Sequence, residues 1–355
     1  MFLAWNEIKN NKLRFILVIG VLMLVSYLVF FLSGLANGLE QLNREAVDKW
    51  EADGIILTEE SDLRLPQSLL AEDDFAGEGA ADYTALAQLS AIANNGDQKA
   101  NVFIFAVNDE SFIMPNVTEG EVFTELGEVI ADDTLKEEGF ALGDELTLSS
   151  TEETVQIVGF TDKARFHAAP VLFTGFDTLD LLRYGEGTGG ESEAVNAFVI
   201  RGDHLDQIQV DDELQVVSTN TFIENLPGYT EQNLTLTLMI YFLFVISAVV
   251  LAIFLYVLTI QKVSMFGVMK AQGVSSSYLA CSVIAQTFLL SLAGVLIGFI
   301  LTMITSIFLP TSVPIAFQYI EMLIYGVILM AVSMMGAFIS VQTIVRIDPL
   351  KAIGG

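Results

Sequence analysis

Four long apolar runs stand out along the chain, at residues 15–33, 234–260, 279–309 and 322–345. None contains Asp, Glu, Lys or Arg. Each has about the 20 residues that a helix needs to cross ~30 Å of hydrocarbon. The last three are longer, so tilt or extension past the bilayer is expected. Between the first and second runs the pattern changes to short strand-like stretches at 54–58, 101–107, 128–132, 145–149, 154–160, 170–176, 196–202 and 214–219. Turn-rich pieces such as ANNGDQ, EEGFALGDE, GEGTGGESE and RGDHLDQ separate them. Helical patches are predicted at 66–74 and 221–225. Residues 36–51 continue the first helix, with Leu35, Leu39, Leu42 and Ala46 forming a packing seam at helical spacing and Glu40, Arg44, Glu45 and Lys49 lying off it.

Charge assigns these pieces to sides of the membrane. The 355 residues are 53% hydrophobic yet carry a formal net charge of −28, so the two properties belong to different segments. Residues 40–231 hold 41 acids against nine basic residues, a net of −32. The other basic residues flank the apolar runs: Lys9, Lys12 and Arg14, then Lys262 and Lys270, then Arg346 and Lys351. Lys and Arg accumulate in cytoplasmic loops, whereas long domains translocate largely regardless of charge. Both termini are therefore expected in the cytoplasm and the acidic segment outside a cell membrane. The first run is too long for the apolar core of a signal peptide, and SGLANGLEQL lacks a convincing cleavage site, so it reads as an uncleaved helix. The only cysteine, Cys281, lies in the third run, and an outer segment without disulfides fits a Gram-positive envelope.

The expected fold is thus an α-helical membrane protein with four transmembrane helices plus an extracellular α+β domain inserted between helices 1 and 2. A cytoplasmic amphipathic helix (1–14) leads into transmembrane helix 1 (15–35) and the extracellular domain with helical extensions (36–233). Transmembrane helix 2 (234–261), a cytoplasmic loop (262–278) and transmembrane helix 3 (279–309) follow. A short extracellular loop (310–321), transmembrane helix 4 (322–345) and a cytoplasmic tail (346–355) complete the chain.

Signatures of catalysis are missing. The sequence has no G-x-x-x-x-G-K-[ST], no H-E-x-x-H, no G-x-S-x-G and no EF-hand pattern. His167 and His204 fall in predicted loops and are expected to be exposed. Carboxylate pairs such as Asp73–Asp74, Asp132–Asp133 and Asp211–Asp212 follow from the acid content and mark no site. The Gly-rich piece 185–190 opens no helix after a strand, so it is a loop and not a phosphate cradle. No enzyme activity, intrinsic cofactor, metal or nucleic-acid partner is expected.

The segment KVSMFGVMKAQGVSSSYLA (262–280) is too polar to join either neighbouring run. Gly267 and Gly273 permit tight turns, and Ser275–Ser277 can cap the next helix. Met265, Phe266, Val268 and Met269 would form an apolar patch on a short cytosolic piece, which suggests a partner. Here the sequence resembles permease subunits of ABC transporters of the MacB/FtsX type. KVSMFGVMKAQG (262–273) is similar to that family's [RK]-x-x-[DE]-[IF]-[AG]-[VIL]-[LM]-[RK]-[AS]-x-G loop, with Met265 in place of the acid. RIDPLKAI (346–353), with Pro349, resembles the closing motif, and ALGDELTLSSTEETVQIVGF (141–160) resembles the G-D-x-[IV]-x-[IVL] hairpin.

The resemblance implies a homodimer of this chain with two cytosolic ABC ATPase subunits, which bind the ATP. The element docking on them would include Lys262, Met265, Phe266, Gly267, Met269, Lys270 and Gly273. The N-terminal helix would lie along membrane lipid, with Phe2, Leu3 and Trp5 against it and Lys9 and Lys12 towards headgroups. ATP-driven closure would move the helices and the outer domain together, a mechanotransmission without a substrate channel. The opening (Glu7 to Leu17), the FLSGLANGL helix exit (31–39) and DGIIL (53–57) are similar to heme-exporting permeases of the HrtB type. That similarity implies heme as the transported substrate. Ferric heme accepts oxygen ligands, and Tyr229, Glu40 and Glu45 lie where helices 1 and 2 leave the outer leaflet. Glu40 and Glu45 can equally be solvated helix faces, and Tyr229 an interfacial tyrosine. Export of an antimicrobial peptide or lipophilic drug, and FtsX-like regulation of a cell-wall hydrolase, are the alternative functions.

Overall fold

A computed structural model of the chain describes residues 12–96, 98–149, 151, 153–185, 194–202, 204–309 and 313–345. The amphipathic helix expected over 1–14 lies outside them except for Lys12 to Arg14, as do 186–190 of the Gly-rich loop and Arg346, Pro349 and Lys351 of the tail. The helices are α1 (Lys12–Asp48), α2 (Thr134–Glu137), α3 (Phe176–Tyr184), α4 (Thr219–Glu224), α5 (Tyr229–Ile260), α6 (Val263–Ala271), α7 (Ser276–Phe308) and α8 (Tyr319–Val345). The chain divides into two compact units, Met1–Gly38 with Asn233–Gly355, and Leu39–Gln232. Among the described residues α1, α5, α7 and α8 are long and apolar enough to cross a membrane. The chain is therefore an α-helical membrane protein with an α+β domain inserted between its first and second spanning helices.

In the helical unit, close packing rests on small residues. Lipid is as apolar as leucine, so helices gain by direct backbone approach where glycine or serine permits it. On α7, a Cβ added at Gly294 would lie 2.4 Å from the Leu22 Cβ, and one at Gly298 2.2 Å from the Ser26 Oγ. Ser26 Oγ donates to Leu22 O at 2.7 Å within its own helix and approaches Gly294 O at 3.2 Å. Further along α1, Gly38 would meet the Pro314 carbonyl and Gly34 the Phe317 ring. The Ala316 amide donates to Gly34 O at 2.9 Å there. The buried stripe of α1 here runs through Ser33, Gly34, Asn37 and Gly38; of the expected seam residues Ala46 is buried in the α+β core, and Leu35, Leu39 and Leu42 are half-buried.

The α+β unit is built on one large sheet. Its strands are β1 (Gly54–Thr58), β2 (Leu70–Ala71), β3 (Asp82–Asn95), β4 (Gln98–Ala106), β5 (Glu119–Gly120) and β6 (Glu128–Asp132). They continue as β7 (Glu145–Leu148), β8 (Thr154–Thr161), β9 (Arg165–Phe166), β10 (Ala169–Thr174), β11 (Ala194–Val195), β12 (Ala197–Arg201) and β13 (Leu214–Ser218). The main order is β13-β1-β12-β3-β4-β10-β6-β8-β5, with β4–β10 and β6–β8 parallel. Hydrophobic clusters cover both faces. One gathers Ala46, Val47 and Trp50 around Phe105, Phe166, Phe173 and Phe222; the other gathers Ile104, Val129, Phe140, Ile157 and Leu172.

Several sequence expectations change here. The 14-residue β3 was absent from the predicted strands because its DYTALAQLSAIANN run is rich in alanine, which has little strand preference. ANNGDQ is its hairpin turn, with Asn95 paired to Gln98 and Gly96 at φ +64°. The helix predicted at 66–74 is two single 3₁₀ turns around β2. His167 is not an exposed loop residue. It is half-buried, its ring 4.5 Å from that of Phe166 and 5.9 Å from that of Phe103, and burial lowers its pKa below the usual value.

Two outcomes follow from this packing. Gly298→Val, which must push against Ser26, should destabilise the helical unit by about 1–3 kcal/mol, whereas Gly20→Ala, with open space around it, should leave it unchanged or more stable. Thermal unfolding of the purified protein compares the two. Burial makes His167 harder to protonate in the folded than in the unfolded state, so the stability it contributes is complete above its unfolded pKa of about 6.5 and declines as pH falls below that value. Urea titrations at pH 7.5 and 5.5 should show that His167→Asn, which tolerates the φ of +49°, loses less stability on acidification than the wild type.

Candidate functional site

The expected docking element forms a helical hairpin. α5 ends at Ile260, and Lys262 donates its amide to Thr259 O before α6 begins. Gly273 ends α6 at φ +93°: its amide donates to Lys270 O, and Val274 donates to Met269 O, the bonding of a Schellman cap. Ser275 then caps α7, its side chain accepting from the Tyr278 amide. Spacing alone did not resolve which side chains face outward. Phe266 is 3% exposed and packs with Leu279, Val283 and Val341, and Gly267 is buried beside it. Met269 is half-buried on the same cluster. Met265 and Val268 remain exposed on the opposite face. Lys262 sits 5.5 Å from the Phe15 ring centroid, and Arg14 donates to Gln261 at 2.7 Å, which ties the hairpin to the start of α1. The expected docking patch therefore separates into an anchor, Phe266 and Gly267, and a free apolar face, Met265 and Val268.

The three proposed ligand residues also separate. Tyr229, 6% exposed, donates its hydroxyl to Glu40 Oε1 at 2.8 Å. Arg44 donates to the same Glu40 oxygen at 3.2 Å and approaches the Tyr229 hydroxyl at 3.4 Å. Its remaining guanidinium nitrogens grip Asp48 at 2.8 Å. Glu40, Arg44 and Asp48 share one side of α1 because they are four residues apart. Glu45 is on another side, held by Arg165 in two parallel bonds of 2.7 and 2.8 Å. Of the three candidates, Tyr229 and Glu40 are thus hydrogen-bonded to each other, while Glu45 is paired with Arg165. Arg44 belongs to the pair, although the sequence marked it only as lying off the seam.

One carboxylate escaped notice altogether. Glu321, assigned to a loop by hydropathy, is in the first turn of α8. It accepts from Asn37 Nδ2 at 2.7 Å and from Ser33 Oγ at 3.5 Å on α1. Its only sequence signal was its place one residue before an apolar run.

A sequence profile described as FtsX-like permease C-terminal matches residues 237–349. The HrtB permease protein of Staphylococcus haemolyticus, named for a hemin transport system, is 26% identical over 361 residues, covering 100% of this chain and 99% of its own. Its namesake from Staphylococcus epidermidis is 27% identical over 357 residues, with the same two coverages. Residues 237–349 thus carry an FtsX-like permease domain, and the chain is similar over its whole length to ABC transporter permeases. An uncharacterized ABC transporter permease of Mycobacterium bovis is 23% identical over 369 residues, covering 100% of this permease and 99% of itself. Among solved structures, the extracellular domain of the ABC-type transporter YknZ from Gram-positive bacteria aligns with 14% identity and a TM-score of 0.34, over 47% of this permease and 99% of that chain. The profile takes in α6 and its anchor, whereas Tyr229, Glu40 and Glu45 lie outside it.

The division within the hairpin is testable. Phe266→Ala should lower the stability of the helical unit by about 3–5 kcal/mol, while Met265→Ser and Val268→Ser should stay within about 0.5 kcal/mol of the wild type, as read from thermal unfolding in one detergent.

Proposed function

We propose that this permease exports heme from the membrane, as a homodimer coupled to two cytosolic ATPase subunits that bind and hydrolyse ATP. One observation carries the reading: the identity to permeases named for hemin transport runs through the whole chain, so it includes the α+β domain as well as the FtsX-like part. The chemistry at the α1 exit is compatible with it. Tyr229 and Glu40 are oxygen donors of the kind ferric iron accepts, and Arg44 is suited to a propionate. Ligation through Tyr229 would require its phenol to leave Glu40, so heme entry would be coupled to a local rearrangement at that pair.

In this proposal 262–278 and both termini face the cytoplasm of a Gram-positive cell, following the positions of Lys and Arg. The ATPase would meet Met265 and Val268. Because Phe266 fixes α6 to α7 and α8 through one hydrophobic cluster, a displacement of α6 would be delivered to the spanning helices instead of being absorbed by a loop. This is what mechanotransmission requires. A second reading, export of a cationic peptide or recruitment of a cell-wall hydrolase, is favoured only by the −32 charge of residues 40–231.

Titration of the purified permease with ferric heme tests the proposal through the Soret band. Saturable binding is expected, with the band shifted and affinity reduced about tenfold or more in Tyr229→Phe or Glu40→Gln, and little changed in Met265→Ser. Non-saturable partitioning, identical in all variants, would overturn heme export and leave the peptide or hydrolase reading.

A further inference from the structure

A cavity of about 300 Å³ opens in the α+β unit between the 63–67 loop, the aromatic rings of Phe103 and Phe166, and the segment 222–227. Its floor is apolar, with Leu65, Phe166, Phe222 and Leu226 all buried. Arg64, Gln67 and His167 line its more exposed part, and the one polar side chain among the buried lining residues is Gln88. This side chain is 6% exposed, lines the cavity, and its Oε1 has no hydrogen-bond partner. On β3 it shares a face with Leu86, which belongs to the core cluster that includes Phe166 and Phe222, so strand alternation aims it inward. A buried amide oxygen without a donor is costly, and native structures nearly always satisfy such groups.

We propose that this cavity binds a small flat aromatic molecule of one or two rings that carries an N–H or O–H donor, with the donor bonded to Gln88 Oε1. Phe103 and Phe166, whose rings meet edge to face at 5.2 Å, supply aromatic walls for a third ring. The volume is at the small end for ligand pockets and far below that of a tetrapyrrole. Tyr229 and Glu40 do not line it, so this site is separate from the heme reading and stands or falls without it.

5-Fluoroindole and its N-methyl analogue are suitable probes, followed by fluorine NMR on the full-length permease in nanodiscs. Fluoroindole should bind saturably at one site per chain, about five- to tenfold more tightly than the methylated compound, as one neutral hydrogen bond allows. In Gln88→Leu that preference should disappear, and in Leu226→Trp, which fills the cavity, saturable binding should be lost while lipid partitioning persists. Equal binding of the two probes, or saturation unchanged in both variants, would overturn the proposal. Absence of saturable binding in the wild type would do so as well, leaving Gln88 to be satisfied by water.

Discussion

Helix α1 can lie against α7 only because Gly294 and Gly298 present bare backbone where it crosses. An added Cβ at either position would sit within 2.4 Å of Leu22 or Ser26, closer than atoms can approach. In lipid no water is released by burying one leucine against another, so contact distance decides whether spanning helices associate. The same constraint recurs at Gly34 and Gly38, where the chain before α8 presses on α1 and Asn37 and Ser33 reach Glu321. Glu321 thus has two side-chain donors on α1.

The α+β unit meets the opposite problem: it has plenty of water and too much negative charge. Several of its few cations hold the chain together from within. Arg165 clamps Glu45, Lys49 reaches Thr161 and Asp162, Arg183 bonds the carbonyls of Gln88 and Ala194, and Arg201 bonds those of Trp50 and Glu51. Hydrogen bonds made by a charged donor are the stronger kind. The outcome is a domain in which these four positive charges are tied down while many acids face solvent, which creates a negative field available to a cationic partner.

The boundary between anchor and contact surface in α6 shows why spacing could not finish the functional argument. Met265, Phe266, Val268 and Met269 look alike as apolar residues of one turn. Their roles diverge only because α7 and α8 approach from one side and take Phe266. Likewise Glu40 and Glu45 read as equivalent acids on a helix exit until Arg165, distant in sequence, arrives beside Glu45 alone. Tyr229 and Glu40 come together through a contact between residues 189 apart, and no local pattern encodes such a meeting.

By itself the sequence determined the four spanning helices, the α+β insert between the first two, the helical extension of α1, and the capped turn at Gly273 and Ser275. These depend on properties carried within a short stretch: apolar length, turn residues, cap chemistry and the distribution of Lys and Arg. The tertiary structure decided the rest. It made the small residues of α1 and α7 the contact surface, turned the alanine-rich 82–95 run into the longest strand through its pairing with β4 and β12, half-buried His167 against two phenylalanines, and left Gln88 facing a cavity. Each of these outcomes depends on which distant atoms come within a few ångströms, and composition and periodicity carry no information about that.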